Sequence, residues 1–118
     1  MNKDYIKFIN AFPSIDLRSP GEFKKGTIPN SVNLPILNDD EYDEVGKIFR
    51  SNGRKAAIDY GYKIISGKKK INRIDSWIQY IRNNNNNCSI FCYRGGLRSK
   101  IAYEWINSRG VSVSRLED

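Results

Sequence analysis

The chain has 118 residues, 39% of them hydrophobic and 28% charged, with a formal net charge of +7. That length suits one domain of roughly 100–150 residues. No apolar run approaches the roughly 20 residues of a membrane span, and Met1-Asn2-Lys3-Asp4-Tyr5 lacks the apolar stretch of a signal peptide, so no membrane partner and a cytoplasmic location are expected.

Ser14-Ile15-Asp16-Leu17 is predicted as a short buried strand. Ser19 then caps a helical turn with Pro20 at its first position, and Gly26 ends it. Ser31-Val32-Asn33-Leu34 reads as a second strand, stopped by Pro35. Asn38-Asp39-Asp40-Glu41 opens a helix whose acidic first turn suits the helix dipole, and Tyr42, Val45, Ile48 and Phe49 share one face of it. Asn52-Gly53 ends that helix, and Lys55 to Ile65 forms another, weakened by Gly61. Ser66-Gly67-Lys68-Lys69-Lys70 reads as a basic connection. Ile71, Ile74, Trp77, Ile78 and Ile81 make a further amphipathic stripe, and Asn83 to Asn87 a surface loop. Ser89-Ile90-Phe91-Cys92 is predicted as the third strand, Ser99 to Ser108 as a helix capped by Gly110, and Val111-Ser112-Val113 as the fourth strand. This alternation predicts a single α/β domain over residues 1–118, with a mainly parallel central sheet and helices on both faces.

The chemistry concentrates after the third strand, in Cys92-Tyr93-Arg94-Gly95-Gly96-Leu97-Arg98-Ser99. Ligands of open α/β sheets bind at the carboxyl ends of strands. Gly95 and Gly96 let successive N–H groups converge on one concavity, the following helix start adds partial positive charge, and Arg94 and Arg98 add two full charges. A thiol at the rim of such a cup favours its thiolate form, so Cys92 is the candidate nucleophile and the loop the candidate anion receptor. The plain alternative is a buried cysteine that ends a strand before a glycine turn. Cys88 lacks this setting and reads as inert. Four residues along a strand place the two cysteines ~13 Å apart, too far to bridge. Without histidine there is no Cys–His dyad, and two cysteines cannot close a zinc site, so no metal is expected. Gly61 to Gly67-Lys68 imitates a phosphate loop, but it is one residue too long and has Lys69 where a Ser or Thr should bind magnesium.

Charge is uneven. Residues 47–82 hold ten Lys or Arg against two Asp. This stretch is either a solvated helical surface or a contact for nucleic acid.

Two further segments, Ile15-Asp16-Leu17-Arg18-Ser19-Pro20-Gly21-Glu22-Phe23 and Gly26-Thr27-Ile28-Pro29-Asn30-Ser31-Val32-Asn33-Leu34-Pro35, together with the cysteine loop, resemble the rhodanese family. Thr27 stands where that family usually has histidine. Cys92 to Arg98 spans seven residues where most single-domain rhodaneses have six. The longer loop, in its Cys-aromatic-Arg-Gly-Gly-hydrophobic-Arg-Ser form, resembles the N-terminal domain of tRNA 2-selenouridine synthases. So do Leu34 to Glu41, Glu44 to Phe49 and Arg54 to Ile58 in a helical insertion at about 38–82. The resemblance implies selenium or sulfur transfer through a Cys92 perselenide or persulfide, converting the wobble 2-thiouridine of tRNA to 2-selenouridine. It implies selenophosphate as the donor substrate, no bound cofactor, and tRNA as a partner through the basic segment 47–82. Asp16 and Arg18 would order the floor of the loop, with Arg18 paired to Glu22, or serve structure alone. Tyr93 would either guide the base or pack against the loop. Full-length enzymes of the group carry a C-terminal phosphate-loop domain with no counterpart here, so the chain reads as a fragment or, since Met1 starts so near the domain, as the rhodanese subunit of a split enzyme. A seven-residue loop also fits a cysteine-dependent phosphatase or arsenate reductase, which would need an acid such as Asp39, Asp40 or Glu41. A third reading is a non-catalytic module that binds tRNA or a protein partner.

Overall fold

Among the described residues, four strands of two or three residues carry the architecture: β1 (Ser14–Asp16), β2 (Ser31–Asn33), β3 (Ser89–Phe91) and β4 (Ser114–Arg115). The computed structural model describes residues 12–93 and 96–116. All pairings are parallel, in the order β2-β1-β3-β4, with Ser14 opposite Ser31 and Ser89, and Ser89 opposite Ser114. Five helices lie among the described residues: α1 (Pro20–Lys25), α2 (Asp39–Asn52), α3 (Arg54–Ile64), α4 (Gly67–Asn83) and α5 (Leu97–Ser108).

Chain direction decides the layers. The chain steps outward from β1 to β2, then back past β1 to β3 and on to β4. Right-handed crossovers in opposite directions put α1 on one face and α2–α4 and α5 on the other. On that second face Trp77 of α4 stacks on Trp105 of α5 at 6.3 Å. Ile15, Leu17, Ile81, Ile90, Ile106 and Trp77 have no exposed surface and form the centre of the core. Each such aliphatic side chain contributes about 1.5–3 kcal/mol by burial. Trp77 also anchors the exit of β2, donating its indole N–H to the Leu34 carbonyl at 2.8 Å.

Ladder bonds run past the strand ends. The Leu17 N–H donates to Phe91 O, Leu34 N–H to Asp16 O, and Leu116 N–H to Ile90 O. Arg18, Cys92 and Leu116 therefore leave the sheet at the same carboxyl edge.

Three elements differ from the sequence expectation. The fourth strand is Ser114–Arg115 and not Val111–Val113. Val111 instead fills the core just before the strand, so its β propensity reflects burial. The basic connection shrinks to Ser66, because Gly67 to Lys70 form the first turn of α4, with Lys69 paired to Glu41 and Lys70 over the Trp105 ring. Helix α5 starts at Leu97, two residues before the expected Ser99. Among the described residues, no helix is long and apolar enough to cross a membrane, and no group of three or more His, Cys, Asp or Glu is placed to hold a metal ion.

Candidate active site

Cys92 follows β3 directly and is 2% exposed. It is buried, and not at the exposed rim expected from the sequence. Its Sγ accepts the backbone N–H of Ser99 at 3.1 Å, at the start of α5. A backbone N–H at a helix N-terminus is a ready partner for an anionic group placed there. Arg94 and Gly95, expected in the anion loop, lie outside the described residues. Gly96 caps α5 in the left-handed region, at φ 72° and ψ 13°. Ser99 is buried, and its hydroxyl donates to Gly96 O at 3.0 Å.

Arg115, which no motif in the sequence singles out, clamps the start of α5. Its Nε donates to Ser99 Oγ at 2.9 Å and its Nη2 to Gly96 O at 2.9 Å. Its one signal in the sequence is an arginine near the last strand, which lies at Ser114–Arg115 and not at Val111–Val113.

Asp16 and Arg18 meet the loop from β1. Asp16 is fully buried and Arg18 is 6% exposed. Arg18 donates from Nε and Nη2 to the Asp16 carboxylate, and from Nη2 to Gly26 O. The hydrogen bond to Asp16 raises the Arg18 pKa beyond burial's opposing effect. Thr27 donates its hydroxyl to Asp16 Oδ2 at 2.9 Å, so the residue that departs from the family pattern still serves this pair. Tyr93 lies over the Arg18 guanidinium at 4.4 Å and is 40% exposed.

The expected Arg18–Glu22 pair does not form. Arg18 precedes Ser19, the N-cap of α1, so the two side chains never share a helical face. Glu22 binds Arg98 instead, at 2.7 Å and 3.2 Å through both oxygens. Burial pushes the Glu22 carboxyl up, but Arg98 and Ser19 outweigh it and the net shift is downward. The positive charge that Arg98 brings beside the cup is thus already shared. Leu97 and Arg98 also border an apolar groove of about 440 Å³ between α2, α3 and α5, with Tyr42, Phe49 and Trp105 in its walls.

Two of the acids that a phosphatase would need are engaged elsewhere. Asp39 accepts the Gly21 N–H at 2.8 Å, and Glu41 is paired with Lys69 and Arg73. Cys88 is buried, and desolvation pushes its thiol up to about 12, so it stays protonated.

The family model of the rhodanese-like domain matches residues 2–118. The chain is 38% identical over 109 residues to the tRNA 2-selenouridine synthase of Pseudomonas syringae pv. tomato, covering 92% of this chain and 30% of that protein. It is 40% identical over 110 residues to the synthase of Ectopseudomonas mendocina, covering 92% and 29%. With the synthase of Nitrosomonas europaea it shares 42% over 104 residues, covering 88% and 27%. The chain therefore spans less than a third of the length of these relatives. A crystal structure of the N-terminal domain of a Clostridium difficile 630 protein, assigned there as ATP/GTP binding, superposes with a TM-score of 0.76 at 26% identity, over 99% of this chain and 89% of that one. A parallel sheet with its cysteine loop between β3 and α5, and a family match over nearly every residue, lead to one conclusion: the chain belongs to the rhodanese-like domain family, in the form found in tRNA 2-selenouridine synthases.

Proposed function

We propose that Cys92 carries sulfur or selenium as a persulfide or perselenide while the wobble 2-thiouridine of tRNA is converted to 2-selenouridine. The observation that carries this reading is the Cys92 Sγ seated on the Ser99 N–H at the start of α5. The named relatives supply the choice of chalcogen and acceptor.

In the loading step the thiolate attacks a zero-valent sulfur or selenium atom of a donor. An S–S or S–Se bond forms, the donor's own bond to that atom breaks, and its leaving group departs with the electron pair. Thiosulfate would leave sulfite and a Cys92 persulfide. The terminal atom then bears the negative charge, next to a sulfur already seated on the Ser99 N–H at the start of α5. Selenophosphate, the donor that the resemblance implies, holds selenium at the selenide level. It loads Cys92 only together with a two-electron acceptor such as a disulfide. Otherwise it serves as the nucleophile at the tRNA carbon.

The chain works in the cytoplasm with a phosphate-loop domain, on the same polypeptide or another. The basic segment 47–82 holds tRNA phosphates. In support, Lys47, Arg50, Arg54, Lys55, Lys63 and Lys68 are all exposed.

The test is to incubate wild type and Cys92→Ser with thiosulfate, and separately with a selenium donor, and to weigh the intact proteins. Wild type is expected to gain one sulfur or selenium atom and Cys92→Ser none. An adduct that persists in Cys92→Ser, or none on wild type with either donor, overturns the carrier role.

A further inference from the structure

We infer that Tyr93 is the platform on which the target nucleobase stacks while its chalcogen faces Cys92, an inference that rests on the tRNA reading above. Tyr93 directly follows Cys92, and its ring lies beside Arg18 at the carboxyl edge where Cys92 also leaves the sheet.

A tyrosine that served packing alone would bury its ring in the loop. This one leaves 40% of its surface in solvent, although both residues before it are buried. The ring is nevertheless held. The Arg18 guanidinium lies 4.4 Å from its centroid, and the Phe91 ring braces it at 6.0 Å and 42°. Arg18 cannot swing away, because Asp16 and Gly26 O hold its Nε and Nη2. A surface ordered in advance gives up little freedom when a ligand arrives.

The chemistry of the ring selects among the substrates of this site. A phenol ring carries negative potential on its face, which gains nothing from a small anionic donor. A planar, uncharged base stacks well there, whichever base it is. The hydroxyl is not needed. Tyr93 is thus a substrate-contacting group for the nucleic acid, while the Ser99 N–H at the start of α5 serves the sulfur.

The experiment measures the affinity of the intact chain for an end-labelled anticodon stem-loop RNA with 2-thiouridine at the wobble position, by fluorescence anisotropy. Tyr93→Phe and Tyr93→Trp are expected within about twofold of wild type, and Tyr93→Leu weaker by roughly tenfold to a hundredfold. Circular dichroism melts show whether the Leu variant is folded. A second probe, the same RNA with 2-aminopurine at the wobble position, should be quenched by wild type and by the Phe and Trp variants but not by Leu. Wild-type affinity and quenching in Tyr93→Leu would overturn the platform while leaving the tRNA reading in place. A Phe variant as weak as Leu would also overturn it, in favour of the hydroxyl. A wild-type chain that takes sulfur on Cys92 yet binds no stem-loop would remove the tRNA reading, and the platform with it.

Discussion

Gly96 leaves no room for a side chain. A Cβ there would lie 2.7 Å from Arg115 Nη2, and the backbone is already at φ +72°. Arg115 cannot retreat without releasing Ser99 Oγ and Gly96 O. Gly96→Ala is therefore expected to cost about 1–3 kcal/mol of stability from the left-handed backbone alone. It should also slow sulfur loading of Cys92 by more than tenfold, because the Ser99 N–H would shift off the thiol. A denaturant titration and the rate of adduct formation check the two effects, and a wild-type loading rate would show that the loop tolerates the shift. At this scale the pairing of Cys92 with a glycine-capped helix start is legible in the sequence, since Cys92, Gly96 and Ser99 sit within a few residues. Glu22 as partner of Arg98 was not. The two lie 76 positions apart, and the resemblance implied Arg18 as the partner of Glu22 instead. The Arg115 clamp was hidden for the same reason, since only the β3–β4 pairing brings it beside the loop.

Between elements, Glu41 joins the helices that cover one face of the sheet. It completes the N-terminal cap of α2 with Asn38 and pairs with Lys69 and Arg73 of α4. Burial alone would push its carboxyl up. The two cations and the Asn38 N–H outweigh that and set the net shift below the ordinary range. A carboxyl whose folded pKa is depressed stabilises the fold above its unfolded value, about 4.3, and the contribution fades as pH falls through the lower folded value. Wild type should thus lose melting temperature steeply below about pH 4.5. Glu41→Gln should show a flatter acid limb and, near neutrality, a deficit of about 1–3 kcal/mol. Thermal melts of both proteins between pH 3 and pH 7 check this, and matching acid limbs would remove Glu41 from the account. The amphipathic stripes of α2 and α4 were readable from period alone. The three lysines at the start of α4 were not, because a charge run looks like a loop until Glu41 and Trp105 are known to be waiting for it.

For the molecule as a whole, the surplus of positive charge in residues 47–82 has a measurable consequence. If that surface holds RNA phosphates, affinity for the stem-loop should fall steeply with salt, with a slope of log K against log salt near −2 for three phosphates. Lys63→Glu with Lys68→Glu should weaken binding at low salt by about tenfold and make the slope shallower. A flat salt response in wild type would leave the stretch as a solvated surface. The α/β class was legible because strand and helix signals alternate cleanly. The layer order was not, since it depends on β1 lying between β2 and β3. That order also governs when the site can exist. Asp16 and Arg18 come from the first strand and its exit, Cys92 from the third, and Arg115 from the last. Each parallel pairing must wait for its crossover to be made, and such non-local closure is slow. On the ribosome, Cys92 emerges well before Arg115, so the nascent thiol spends an interval without its clamp. The bonds from Arg115 to Ser99 and Gly96 form only as the final strand docks.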